Sequence, residues 1–455
     1  MMKKILLSLC ISSCCFSQVF EKVPVLQNGD NSKRIVMAIL GDGFTDAQQG
    51  DFITSAQNTV NYLFTKSPYT EYKNYFNAYA VKVISLESGV KHPGTATDVT
   101  EPLIPVSNPN NYFGSTFDFY YHRLIYSYTT NLVEQVLAAN VPDYDITYIL
   151  CNSPEYGGGG GTYAFASLNT AANELVVHEL GHSFGDLADE YWDPNQQTEK
   201  INKTQNANPA TIKWKNWVGL NGVGVYPHAE SPTWFRPHES CEMRYLNQQF
   251  CSVCKEGIVE KIHSLVSPVD SYTPANNTSV DATANVTFTA NEILPIPNTL
   301  INKWTLNGTV LGATGNSVTI TPGQLNNGNN TLTLSVVDDS PLLKVDNHST
   351  LHVTNVSWTL SKSTLGLSEV KAEERRFSIY PNPTDGEFYI HGKKDFAKDI
   401  QVELYDASGK KIPGKFEIRD SETIKVDIKN FPAGTYLLNV KENKNLIISQ
   451  KIIRE

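Results

Sequence analysis

The hydrophobic period changes part-way along this chain, and the change limits the architectures open to it. From Asn28 to about Val266 apolar residues recur at both helical and strand intervals, whereas short alternating runs dominate beyond Ser267. The 455 residues give length for about three domains at roughly 150 residues each. Together these predict one α/β domain followed by two all-β units. The 22 Tyr, 19 Phe and 6 Trp can fill substantial cores, which excludes a disordered or fibrous chain. With 37 Lys and Arg against 47 Asp and Glu the net charge is −10, so bulk charge argues against a nucleic-acid partner.

In the first part, Ile35–Leu40 reads as a buried strand running into the turn Gly41-Asp42-Gly43. Thr45 and Gln48 have capping-box spacing. Phe52, Ala56, Val60 and Leu63 follow at helical intervals, which predicts a helix over 46–64. Further strands are expected at Asn77–Ser85 and Ile146–Cys151, and a helix at Asn131–Ala139. Tyr156 precedes five glycines, Gly157–Gly161, which permit close backbone approach to a neighbouring segment or an extended ligand.

Residues 268–360 hold only eight charged side chains and are rich in Thr, Asn, Val and Leu. Alternating runs at Val286–Ala290, Ser317–Ile320 and Thr331–Val336, with Trp304-Thr305-Leu306 leading into Asn307-Gly308, predict an immunoglobulin-like β-sandwich. It serves either as a spacer or in recognition. A linker over 361–376 separates it from a last all-β unit, 377–455. At the other end, Lys3 and Lys4 precede the apolar run Ile5–Ile11 and then small residues, the pattern of an export signal over 1–17. Ile11-Ser12-Ser13-Cys14 also resembles a lipoprotein box that would tether the chain through Cys14. After the signal, no apolar run is long enough to span a bilayer. Cys151, Cys241, Cys251 and Cys254 then remain, and in an oxidising compartment cross-linking is favoured over a metal on the Cys-x-x-Cys pair.

His178-Glu179-Leu180-Gly181-His182 carries the chemistry. Two imidazoles four apart on a helix share a face and can bind one zinc ion. Glu179 between them is placed to take a proton from a water held there and deliver it to a leaving amine. Leu175-Val176-Val177 makes this a helix packed into a core. A third ligand is needed. Asp189 is the first choice, Glu190 the second, and His228 and His238 are distant alternatives. On a continuing helix, Asp189 would lie about 10 Å beyond His182, so the chain must turn near Gly185 for it to serve.

His178–Tyr191, Leu40-Gly41-Asp42-Gly43-Phe44-Thr45, Glu87-Ser88-Gly89 and the glycine run together resemble the IgA-peptidase-like zinc metallopeptidase family over about residues 28–266. The resemblance implies an α/β metzincin-like catalytic domain, zinc on His178, His182 and an acidic third ligand, and Glu179 as base. Metzincins extend the motif with His at the tenth position, which here is Ala188. They also place a Met in a turn beneath the zinc, with a metal-reaching Tyr two residues later in astacin-like members. Met243 and Tyr245 match that spacing, giving Tyr245 as the oxyanion-stabilising residue. Tyr380-Pro381-Asn382-Pro383-Thr384-Asp385-Gly386, Leu404–Lys410, Pro432–Tyr436 and the terminal Lys451-Ile452-Ile453 resemble the C-terminal sorting domain of Bacteroidetes type IX secretion substrates. That implies passage across the outer membrane with the secretion machinery as partner.

The expected layout is a signal over 1–17, a zinc metallopeptidase domain over 18–267, the sandwich, the linker and the sorting domain. The expected function is a secreted or surface endopeptidase acting as a monomer on protein or peptide substrates. Its rivals are a surface adhesion protein on an inactive protease fold and a zinc amidase or esterase.

Overall fold

The computed structural model describes residues 18–98, 105–195, 197–362, 377–392, 400–442 and 445–455. The expected signal peptide, and the linker from 363 onward, lie outside the described residues. The chain divides into two compact units. The first comprises residues up to Val280 with Val286–Ile320 and Thr331–Leu360; the second comprises Asp281–Asn285, Thr321–Asn330 and Ser361–Glu455.

The first unit is built on a six-stranded sheet of β1 (Lys22–Leu26), β2 (Ile35–Asp42), β3 (Phe76–Val81), β4 (Ile146–Cys151), β5 (Gly158–Gly159) and β6 (Ala164–Ser167), in the order β1-β3-β2-β4-β6-β5. The four inner strands run parallel, and β1 and β5 are antiparallel edges. Every residue of β2 is buried, as a parallel strand covered on both faces must be. The two-residue period divides them. Ile35, Met37 and Ile39 face a core shared with α1 (Gln49–Leu63) and α3 (Ala172–Ser183), whereas Val36, Ala38 and Leu40 face α2 (Thr130–Asn140). The α1 stripe is the one the spacing predicts: Phe52, Ala56, Val60 and Leu63 are all buried. Gln48 closes the turn before it by accepting from Thr45 N–H at 3.1 Å.

The strand expected over Asn77–Ser85 stops at Val81. Beyond it the backbone tightens, with Val83 N–H on Val81 C=O at 2.8 Å. Ser85 Oγ turns instead to accept from Gly43 N–H at 2.9 Å. At Gly43 the φ is +77°, and a Cβ would lie 2.3 Å from Gly89 C=O. The two segments Leu40–Thr45 and Glu87–Gly89 therefore meet in space, joined by Gly89 N–H to Gly43 C=O at 2.9 Å.

Two further sheets follow, mostly in the same unit. One has five strands, including Leu300–Leu306, Gly328–Asp338 and Thr354–Lys362; the other has three, including Val286–Glu292 and Ser317–Ile320. Trp304 and Trp358 stack with ring centroids 5.8 Å apart, and Phe288 meets Trp358 edge-on at 5.2 Å. The Asn307-Gly308 turn is formed with both residues at positive φ, 51° and 81°, as a tight hairpin requires. The last strand runs two residues into the expected linker. These sheets dock on α4 (Ser252–Leu265). There Asp338 accepts from Tyr72 Oη at 2.5 Å and pairs with His263 Nε2 at 2.9 Å, and Glu256 accepts from Val345 N–H at 2.8 Å.

The second unit carries two four-stranded antiparallel sheets within residues 377–455. Their alternate residues Phe388, Ile390, Leu404, Val426, Leu438 and Ile452 form its core.

Candidate metal centre

Helix α3 lies against β5 and β6 and buries Leu175, Val176 and Val177; His178 and His182, one turn apart, share a face with Glu179 and Leu175. After Ser183 the chain turns sharply. Gly185 N–H bonds Leu180 C=O at 3.1 Å and Leu187 N–H bonds Gly181 C=O at 3.0 Å. The left-handed residue of this turn is Asp186, with φ 52°, rather than Gly185. Gly185 is needed because a Cβ there would sit 2.8 Å from Gly181 C=O.

The turn returns Asp189 to the two histidines. Its Oδ1 lies 3.1 Å from His178 Nε2 and 3.2 Å from His182 Nε2, and the two Nε2 atoms are 3.2 Å apart. Each imidazole is anchored from behind. His178 Nδ1 meets Glu242 C=O at 3.0 Å and His182 Nδ1 meets Leu187 C=O at 2.8 Å. A carbonyl only accepts, so both Nδ1 atoms carry the proton and both Nε2 lone pairs aim at one point. Three donors at these spacings suit a tetrahedral ion held at about 2.0–2.1 Å, whose donor–donor edges are about 3.3 Å. The residues present therefore fit the metal that the motif implies.

Without the ion, burial works against charge on His182, but hydrogen bonding and attraction from Asp189 push it up to about 9. Burial likewise opposes ionisation of Asp189, and the two imidazoles outweigh it and hold its carboxyl well below the usual range. Glu179 is raised, first by burial and then by the Asp189 charge, against the pull of the histidines. Its carboxylate occupies the space in front of the glycine run: a Cβ at Gly160 would lie 1.9 Å from Oε2. The His182 side chain is 28% exposed, and Gly160, Gly161 and Thr162 are exposed beside it, so the site opens to solvent on this side.

The glycine run does not offer a free edge throughout. Gly158 donates to Arg123 C=O at 3.0 Å and accepts from Ile125 N–H at 3.1 Å. An incoming strand along the whole of Tyr156–Ser167 is thereby excluded at that point. A cavity of about 560 Å³ lined by Glu87, Asn108, Pro109 and Asn152 includes none of the cluster residues. The converging donors, rather than that hollow, define the site.

Met243 lies under the helix as expected: a Cβ at Gly181 would be 2.4 Å from its Sδ. Tyr245 is 51% exposed, with the Arg244 guanidinium 4.7 Å over its ring. Tyr191 is the phenol beside the donors. It is 44% exposed, and the crowding of the phenol by neighbouring atoms, then the charge and hydrogen bond of Asp189, push its pKa up. Sequence reasoning passed over Tyr191, although it follows the acidic pair directly. His228 is buried against Trp192 with ring centroids 5.5 Å apart, and His238 accepts from Ser240 N–H at 2.9 Å; neither joins the cluster. Glu190 turns away from it too. The expected disulfides are not formed, and the four cysteines are free. Cys151 ends β4 in the α2-side core, whereas Cys241, Cys251 and Cys254 gather around Glu190.

Two helix-borne imidazoles, a returning carboxylate and a neighbouring acid form a donor set suited to hydrolytic chemistry on a divalent ion. Residues 23–222 match the family model described as IgA Peptidase M64, and residues 378–455 match that of the secretion system C-terminal sorting domain. The chain carries an M64 peptidase-family domain, which supports a peptidase, and a sorting domain, which supports secretion or cell-surface localisation. The first match covers His178–Asp189 but ends before Met243 and the three clustered cysteines. Comparison with curated proteins gives no match. Among solved structures, the Lin-41 filamin domain is 13% identical over 18% of this chain and 92% of its own, with a TM-score of 0.16. SGBP-B of Bacteroides ovatus is 11% identical over 41% and 47%, at 0.16. The insect immune protein hemolin is 12% identical over 41% and 46%, at 0.19. The chain thus spans about half the length of the latter two, and scores this low carry no inference. Among the described residues, no helix is long and apolar enough to cross a membrane.

Proposed function

We propose that the chain is a secreted zinc-dependent endopeptidase. Its metzincin-like catalytic domain spans 18–267, followed by an immunoglobulin-like module over 268–360, a linker over 361–376 and a sorting domain over 377–455. One observation carries the reading: His178 Nε2, His182 Nε2 and Asp189 Oδ1 converge at 3.1–3.2 Å while both Nδ1 atoms are tied to backbone carbonyls. These three residues hold the ion, which when bound supplies Lewis acidity and makes water acidic enough to ionise near neutral pH.

Glu179 acts as general base. It accepts the proton of the attacking water and returns it to the departing amine. Its place between the two histidines on the same helix face puts it within the site where such a proton transfer is needed. The exposed Gly160–Thr162 segment forms the rim against which an extended peptide lies. Tyr245 donates to the developing oxyanion, and Tyr191 fixes the orientation of Asp189.

The test is zinc content and casein cleavage of the purified chain, with Glu179→Gln as the control. The variant should keep the zinc that depends on His178 and His182 and lose roughly 10³-fold or more in kcat. Undiminished cleavage by that variant would remove Glu179 from the mechanism.

A further inference from the structure

We infer that Glu190, Cys241, Cys251 and Cys254 form a second metal site, a buried structural zinc centre that fixes the third ligand of the first. Their donor atoms all lie within 4.8 Å of one another, and all four residues are buried. Cys241 Sγ and Cys254 Sγ are 3.7 Å apart, and Glu190 Oε1 is 3.1 Å from Cys254 Sγ and 3.8 Å from Cys251 Sγ.

The spacing discriminates between the two fates of clustered cysteines. A disulfide needs sulfurs about 2.0 Å apart. A tetrahedral zinc with Zn–S near 2.3 Å sets its sulfurs about 3.8 Å apart, close to what is found. Parity points the same way: three cysteines cannot all pair, so a disulfide here would strand one thiol beside a buried carboxylate. Glu190 is 0% exposed and its Oε2 has no hydrogen-bond partner. Oε1 accepts from Asn202 Nδ2 at 3.2 Å, but a buried carboxylate with one oxygen left unpartnered is costly unless a cation compensates it. Three soft thiolates and one carboxylate oxygen make a closed set of four donors with no position left for water, which distinguishes a structural zinc from a catalytic one.

The four ligands come from three segments that the first site depends on. Glu190 directly follows Asp189, and its N–H bonds Met243 C=O at 2.7 Å. Cys241 stands two residues before Met243, and Cys251 and Cys254 lie at the start of α4. An ion here ties the returning loop, the Met turn and α4 together, and so holds Asp189 against the histidines. Without it, the loop keeps only the Glu190 N–H bond to Met243 C=O and the Asn202 contact to Glu190 Oε1, and Asp189 is held less firmly.

Zinc is measured in the full exported chain and in a His178→Ala/His182→Ala variant, both after dialysis. The proposal expects two ions in the native chain and one in the variant. Cobalt substitution of the variant should give the intense near-ultraviolet thiolate-to-cobalt absorption that a His-His-Asp site lacks. Cys254→Ser should lose that band together with the second ion; should it fail to fold, the other two measurements still decide. One ion in both the native chain and the variant would support this centre and count against the catalytic one. One ion in the native chain and none in the variant, or a disulfide among Cys241, Cys251 and Cys254 by peptide mapping, would overturn it.

Discussion

A single methyl group added at Gly160 separates the role of Glu179 from that of the metal. The new Cβ would fall 1.9 Å from Glu179 Oε2 and 2.7 Å from Cδ, whereas ordinary contact begins near 3.4 Å, so the carboxylate must retreat by about 1.5 Å. Gly160 is not among the glycines at positive φ, so alanine adds no backbone strain there. Misplacing a reacting group by roughly 1 Å can cost about 10²-fold in rate, equivalent to about 2.7 kcal/mol of transition-state stabilisation. Steady-state cleavage of casein by Gly160→Ala should therefore show kcat lowered by about 10²-fold. Zinc content and thermal midpoint should remain those of the native chain, because none of the metal donors is touched. The competing relaxation is an outward shift of the exposed loop, which would leave Glu179 where it is. Native kcat in this variant would show that the loop gives way, and would refute the argument that the glycine is there to admit the carboxylate.

Asp189→Asn keeps the side-chain size but removes its charge, and metal titration should show affinity weakened by roughly 10²-fold or more. Met243→Ala empties the space beneath Gly181 and should cost about 3 kcal/mol in urea unfolding; a loss below about 1 kcal/mol would deny the Met turn a packing role. If Tyr245 stabilises the oxyanion, Tyr245→Phe should lower kcat by about 10²-fold with KM little changed, while Tyr191→Phe should chiefly weaken metal retention; the reverse pattern would exchange their roles. Glu260 and Asp338, at the junction of α4 with the following sheets, are both held below their usual range. Burial opposes this in each, and His348 and His352 at Glu260, with His263 at Asp338, outweigh it. A carboxyl depressed by folding stabilises fully above its unfolded value, about 4, and the benefit drains away as pH falls through the lower folded value. Thermal melts should accordingly lose stability below about pH 4, and Asp338→Asn should flatten that limb of the curve.

Much of this was legible in the sequence because it rests on local patterns. The α1 stripe, the capping box, the Ile146–Cys151 strand and the Asn307-Gly308 hairpin all appear where residue spacing puts them. Features decided by distant partners were not legible. The strand after Phe76 ends early because Ser85 is drawn to Gly43, and nothing within residues 77–85 encodes that. Tyr191 and Tyr245 could not be ranked from spacing, since their surroundings depend on how the chain returns after α3. The cysteines showed the same limit. A Cys-x-x-Cys pair without a second such pair points to cross-linking, because the groups that gather around it are a single cysteine ten residues upstream and a carboxylate from another segment.

The acidic pair shows why the residue that joins the histidines could not be chosen by inspection. Asp189 and Glu190 are both buried, at 4% and 0% exposure, and each has the oxygen donors a metal would accept. Once the turn at Asp186 has stopped the helix, neighbouring side chains no longer lie 100° apart around one axis. Asp189 reaches the histidines and Glu190 the thiols on the other side. The backbone bond from Glu190 N–H to Met243 C=O fixes which residue faces which way. A one-residue slip at this bond would present Glu190 to the histidines and Asp189 to the cysteines, and would spoil both donor sets at once. Interchanging the two residues by Asp189→Glu with Glu190→Asp tests that logic directly. Charge and composition are unchanged, yet the longer arm crowds the His178–His182 pair and the shorter one falls short of Cys254. The exchange should therefore remove peptidase activity and lower total zinc, and native values for both would show that the register at Met243 is not what assigns the ligands.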